Sequence, residues 1–303
     1  MSYGIYMTET YRRQDKWEEW NSLGIIPGPD ETEAALAERA DFCQNLEEHL
    51  VQKVGADLPF DLDDHSTKKF LEEVFPLTEE LYGVAPRWVP LFFSNHQLAP
   101  WHGGCAWIFQ LDEASPTAAF LQLRAQFRNS LTYLGLYHRK ELIAHELAHV
   151  GRMLYQEPQF EEFFAYQSSR STWRRWIGPI IQSSKESLLF VLLLGVVIMA
   201  DLATFSLGAK MAMIAWWIKL LPVIVIFFGL GRLLIRHRQL KKCLFTLEKL
   251  FDLKSARHLL YRLRDKEIKQ FARLSPSQIQ SEINERAKTS FRWHFLKNIY
   301  KIK

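Results

Sequence analysis

The chain is poor in cysteine. Cys43, Cys105 and Cys243 are three residues among 303, odd in number and far apart. This excludes a disulfide framework and a CxxC metal knuckle, and makes a reducing compartment the simplest setting. An apolar core is also missing from MSYGIYMTETYRRQDKWEEW, so no amino-terminal signal peptide is expected and residues 1–186 are expected to stay on the side of synthesis. Acidic residues are scarce at the other end. From Arg236 to Lys303 there are 18 Lys and Arg against 6 Asp and Glu, whereas residues 1–235 carry 20 against 28. In bulk the chain is ordinary: 48% hydrophobic and 24% charged residues in 303 positions suffice for one or two compact domains and exclude the disordered and mini-protein classes. Its mean hydropathy of -0.14 averages two unlike regions.

One of those regions has almost no charge. Among the 49 residues from Ser187 to Ile235, only Asp201, Lys210, Lys219 and Arg232 are charged. A soluble hairpin this apolar would need a larger core than the chain can supply, so two membrane spans are expected near 187–207 and 212–234, joined by a turn around Ser206, Gly208 and Lys210. Arg170, Arg174, Arg175 and Lys185 precede the first span and Arg236, Arg238, Lys241 and Lys242 follow the second, which predicts an integral membrane protein with both ends in the cytoplasm. Trp173, Trp176, Trp216 and Trp217 fall where interfacial aromatic belts are expected. Asp201 and Lys219 either pair between the helices or, the preferred reading, lie near the outer interface. A basic tail beside such a segment suits the anionic cytoplasmic leaflet of a lipid bilayer better than nucleic acid.

The segment from Tyr137 to Tyr155 has helical periodicity and contains His145-Glu146-Leu147-Ala148-His149, an HExxH pattern. Residues four apart share a helix face, so both imidazoles can turn to one Zn²⁺, while Glu146, offset by about 100°, can reach a water there. A solvated polar face is disfavoured by Leu147, Ala148 and Val150, which suit a core helix. Catalytic zinc needs a third protein ligand and an open position. The extended pattern HExxHxxGxxH is excluded by Arg152 and Tyr155. An intramembrane protease is disfavoured because His138, Arg139, Lys140 and Glu141 directly precede the motif and the apolar stretch begins some forty residues later. A carboxylate from a second helix remains. Pro158 predicts a helix start, and Glu161 and Glu162 stand on that helix about 100° apart, so one of them faces the metal.

At these residues the sequence resembles the gluzincin metallopeptidases, in which HExxH is followed by a helix carrying a Glu in an ExxA-type context. The resemblance implies that His145 and His149 are zinc ligands, that Glu146 is the general base, and that Glu162 of Glu162-Phe163-Phe164-Ala165 is the third ligand, with Glu161 a rival and Glu157 a weaker one. Tyr166 stands where several such families carry an Asp that orients a histidine. Arg152, one turn after His149, either pairs with the acid not bound to metal or is a solvated helix-end residue. His138 and Tyr166 are secondary candidates for oxyanion stabilisation.

The expected fold class is α+β, with a zincin-like catalytic domain followed by a two-helix transmembrane hairpin and a basic helical C-terminal region. The divisions are 1–84, a helical N-terminal part of the catalytic domain; 85–180, the catalytic core; 187–235, the two spans; and 236–303. Trp88–Phe93, Cys105–Leu111 and Ala118–Arg124 read as strands between Gly, Pro, Asn and Asp turns. By resemblance, the last is the edge strand that pairs with an extended peptide. Leu240–Phe251, Ser255–Phe271 and Pro276–Leu296 read as amphipathic helices. The function expected is a membrane-anchored zinc metallopeptidase acting on a peptide or protein substrate. The alternatives are a catalytically silent zincin fold used as a membrane-bound binding or scaffolding module, and a membrane-shaping or transport-associated protein with a fortuitous motif.

Overall fold

Local start signals account for many of the helices in the computed structural model, which describes residues 13–54, 66–181, 184–207 and 209–302. A helix over 13–22 (α1) is followed by α2 (Glu33–Gln44), α3 (Leu46–Val54), α4 (Ser66–Glu72) and α5 (Phe75–Tyr82). The Thr32 side chain caps α2 by accepting from the Ala35 N–H, one of the donors a helix start otherwise leaves unpaired. These helices cover a small sheet of β1 (Leu91–Phe93), β2 (Gly104–Phe109) and β3 (Ala118–Leu123).

The strand order is β1-β3-β2, with β1 parallel and β2 antiparallel to β3. The last strand is therefore central and β2 is an edge, contrary to the expectation above. The physical reason lies in burial: five of the six residues of Ala118–Leu123 are buried on one face or the other, as a strand with neighbours on both sides requires, whereas β2 is partly exposed along its length. A second pairing, β4 (Thr132–Tyr133) with β5 (Tyr137–His138), forms a short hairpin that leads straight into the motif helix. Leu134 and Gly135 make its turn with φ of 54° and 66°, the left-handed pair that a tight hairpin demands and that Gly135 meets without a Cβ penalty.

The motif helix α6 (Arg139–Val150) is followed by α7 (Pro158–Ala165) and α8 (Thr172–Ile177). Then come α9 (Ser184–Leu207), α10 (Ala209–Ile218) and α11 (Leu220–Leu247). Two stretches here, Glu186–Thr204 and Met213–Leu247, are long and apolar enough to cross a membrane. Only 6% and 17% of their most apolar windows are buried, whereas the core helix of a soluble protein would be mostly covered. The turn expected at Gly208 lies outside the described residues. Asp201 and Lys219 pair at 2.8 Å across the helices, the alternative that the sequence reading had placed second.

Beyond Ile235 the helix does not stop. No Pro or Gly interrupts residues 233–247, so α11 runs unbroken through the basic segment, and the separate helix expected at Leu240–Phe251 is its continuation. Conversely, the stretches expected as single helices at Ser255–Phe271 and Pro276–Leu296 are each divided, into α12 (Leu253–Tyr261) and α13 (Asp265–Phe271), and into α14 (Pro276–Thr289) and α15 (Phe291–Ile299). Arg264 and Ser290 adopt extended backbone conformations at the breaks. Asp252 caps α12 and Ser275 opens α14 with a capping box.

These C-terminal helices share one hydrophobic core with the motif region: Leu36, Leu121, Val150, Tyr261, Phe271 and Phe295 belong to a single cluster. The Tyr261 hydroxyl donates to the Ala148 carbonyl at 2.6 Å. That approach needs Gly151, where a Cβ would collide with the phenol. Buried Arg262 donates to the carbonyls of Tyr82 at 2.7 Å and His258 at 2.8 Å, and Arg292 holds Glu267 with two bonds of 2.9 Å, so one of these buried cations is satisfied by carbonyls and the other by a carboxylate.

Candidate metal centre

Helix α6 carries His145 and His149 one turn apart on the face that meets α7. Their rings lie 5.1 Å apart, centre to centre. Pro158 occupies the first turn of α7 and fixes where that helix begins, and Phe160, Phe163 and Phe164 bury its other side, which turns Glu161 and Glu162 toward α6. Glu162 faces both histidines, with its oxygens 3.6 Å from His145 Nε2 and 3.7 Å from His149 Nε2. Among the described residues, His145, His149 and Glu162 form the one group that could hold a metal ion, their ligand atoms all lying within 4.8 Å of one another. Donors on a tetrahedral zinc with bonds of 2.0–2.1 Å sit about 3.3 Å apart. Small rotamer adjustments close this set around one ion, and two imidazoles with one carboxylate leave a fourth position for water. The donor set fits Zn²⁺.

Glu161 points elsewhere. One of its oxygens lies 3.3 Å from His149 Nδ1 and the other accepts from Arg152 Nε at 3.0 Å. A carboxylate on Nδ1 holds that nitrogen protonated and leaves Nε2 as the lone-pair donor toward the metal. The carboxylate behind His149 is thus that of Glu161, and Tyr166 does not take that place. Arg152 is fully buried and donates through Nη1 to the carbonyls of Tyr261 and Leu263, so it is an anchored bridge and not a solvated helix end. Glu157 is outside the centre, with its carboxylate taken by Arg264 at 2.9 Å and the Asp265 N–H at 2.5 Å.

Glu146 lies on the adjoining face, 7% exposed, and accepts the Ala106 N–H of β2 at 2.8 Å. The N–H of Ala106 thus points away from β3. The alternation of an antiparallel ladder directs the N–H and C=O groups of Ile108 to the same open side. Burial pushes the Glu146 carboxyl up to about 7, with the charge of Glu162 adding to the effect and His149 opposing it. For His149, burial favours the neutral ring, but the Glu161 hydrogen bond and the charges of Glu162, Glu161 and Glu146 together outweigh it and hold the metal-free imidazolium up to about 9. His145, buried and next to His149, is held well below its usual range and stays neutral.

Tyr166 packs its ring edge-on against His145 at 4.8 Å, and burial pushes its hydroxyl up to about 12, so it stays a proton donor at neutral pH. His138 sits at the N-cap of α6, two turns before His145, with Nδ1 buried and without a hydrogen-bond partner.

Sequence reasoning did not find the Ala106 N–H, because strand-to-helix contacts 40 residues apart leave no local signature. It also missed Glu141, whose carboxylate takes Arg174 at 3.1 Å and the Arg170 N–H at 3.1 Å and so fixes α8 against the motif helix. The chain matches no family model, no curated protein and no solved structure.

Proposed function

We propose that the chain is a membrane-anchored, zinc-dependent peptidase of zincin type, with the centre on the cytoplasmic side. The observation that carries this reading is the division of labour around His149: ligand atoms of His145, His149 and Glu162 lie within 4.8 Å of one another, and Glu146 stands beside them with its carboxylate on the edge strand. When bound, Zn²⁺ polarises a carbonyl and lowers the pKa of a water to about 7.

The rest is the work of the chain. Glu146, with a carboxyl poised at about 7, takes the proton of the attacking water and delivers it to the leaving amine. The outward N–H and C=O groups of Ile108, and the carbonyl of Ala106, pair with an extended peptide and hold its scissile bond over the centre. Tyr166, kept protonated and packed against His145, donates to the oxyanion. The edge assigned to substrate is β2, in place of the strand favoured from sequence. The two apolar helices span the membrane in this reading, and the positive charges outside them support a cytoplasmic position for residues 13–181 and the C-terminal helices.

The test compares the full chain in lipid nanodiscs with Glu146→Gln on a peptide library. Hydrolysis should be abolished by chelator and fall about 10² to 10⁴-fold in the variant, with zinc retained. Retained zinc with no turnover by the wild type on any peptide would point to a silent zincin fold.

A further inference from the structure

A cavity of about 440 Å³ opens where α11 leaves its apolar stretch. Phe228, Gly231 and Ile235 line it, interleaved along one face of α11 with Arg232, Arg236 and Gln239. Lys269 and Gln159 complete the lining. Among the described residues, no acidic side chain lines it.

Three contacts fix its level relative to the apolar helices. Arg232 pairs with Glu186 at 2.5 and 2.8 Å, tying together the polar ends of both apolar stretches. Arg232 also donates to the Ile180 carbonyl at 3.0 Å. On the next turn of α11, His237 stacks on Trp176 at 5.6 Å and 10°. Ion pair and stacked tryptophan mark the plane at which hydrocarbon gives way to headgroups. The cavity straddles that plane: along α11, Phe228 lies about one turn to the hydrocarbon side of Arg232, and Ile235, Arg236 and Gln239 lie to its water side.

We propose that this cavity binds the phosphate headgroup of an anionic phospholipid from the cytoplasmic leaflet, with the phosphate between Arg236 and Lys269 and the acyl chains against Phe228. The proposal rests on the reading that α9 and α11 span the membrane. Arg236 spends one weak bond, 3.3 Å from Nη1 to the Gln159 carbonyl, and keeps its other donors for an anion. Arg232 has its Nη atoms engaged, while its Nε is buried without a partner. A soluble anion would use the cations alone, whereas a lipid also uses Phe228, and a cavity with cations and apolar side chains at the interface matches a ligand that is itself divided there. Gln159 adds a consequence: it stands two and three residues before Glu161 and Glu162 on α7, so a ligand in the cavity rests on the helix that supplies the carboxylate of the metal centre.

Native mass spectrometry of the full chain, released from nanodiscs of phosphatidylcholine with one quarter phosphatidylglycerol, tests the proposal. One phosphatidylglycerol should be retained in preference to phosphatidylcholine, and Arg236→Gln with Lys269→Gln should lose it. Phe228→Ser alters an exposed side chain and should weaken lipid retention while leaving any binding of inorganic phosphate unchanged. Inorganic phosphate in millimolar excess should not displace the lipid. Equal retention of both lipids, undiminished retention in the double variant, or displacement by inorganic phosphate would each overturn the proposal, the last by making the cavity a simple phosphate site. Zinc content of the double variant reports whether it folds, and the single variants repeat the test if it does not. A chain extracted from the bilayer by alkaline carbonate would refute the spanning reading itself, whereas membrane retention without lipid preference refutes the lipid site alone.

Discussion

Glu161 and Glu162 are neighbours in sequence with different tasks, and the difference follows from the 100° between adjacent helix positions. Glu162 faces both Nε2 atoms, while Glu161 takes the back of His149 and the Arg152 guanidinium. Glu162→Ala should therefore lose zinc on dialysis, whereas Glu161→Ala should keep it with affinity lowered about 10 to 100-fold, the usual cost of removing a partner behind a ligating histidine; metal analysis of the two dialysed variants checks this. The protonation of His149 gives a second expectation. In metal-free protein its pKa of about 9 lies above the ordinary value of about 6.5. Protonation then favours the folded state fully below about pH 6.5, and that contribution is lost as pH rises through 9. Thermal unfolding of the stripped chain should show stability falling across that window in the wild type and a flatter profile in His149→Gln. Zinc requires the neutral ring, so its binding should release a proton in the same window. The HExxH histidines were legible because their spacing is local. The choice between Glu161 and Glu162 was narrowed only by resemblance, since the phenylalanines that orient α7 act through tertiary packing.

Periodicity and proline signals located α6, α7 and the apolar helices, because α6 carries its own helical spacing of apolar residues, α7 its own proline start and the apolar helices their own long apolar runs. Strand order was not legible in the same way. β3 and β2 are both short and apolar, and which of them is central depends on pairing with β1, a contact made across 30 residues of sequence. The hairpin over 132–138 was also missed, since two-residue strands around Leu134-Gly135 show no alternation to read. The end of α11 was misjudged for a related reason: the change of charge at Arg236 is not accompanied by a change of backbone. The apolar helices carry their own prediction. Reporter fusions after residue 180, at 209 and at 302 should read cytoplasmic, exterior and cytoplasmic, because the flanking cations lie outside the pair. An exterior signal at 180 would place the metal centre on the opposite side and contradict the proposed localisation.

The whole molecule joins what the charge distribution separates. Residues 253–302 are strongly basic, yet they pack into the core of the acidic half: Arg152 reaches from the metal centre to the carbonyls of Tyr261 and Leu263, and Tyr155 donates to the Arg262 carbonyl at 2.9 Å. The carboxylate that orients His149 is thus supported from the far end of the chain, a connection that composition conceals because it reads the tail as a membrane-surface appendage. A buried donor left without its acceptor costs about 1 to 3 kcal/mol, so a fragment ending at residue 180, which leaves Arg152 without those carbonyls, is a poor substitute for the intact protein. The direct test of the central claim is the zinc content of the full chain, purified in detergent and dialysed against metal-free buffer. One zinc per chain is predicted, lost in His149→Ala and retained in Glu146→Gln; a wild-type chain without zinc, or a His149→Ala chain that keeps it, would contradict the account.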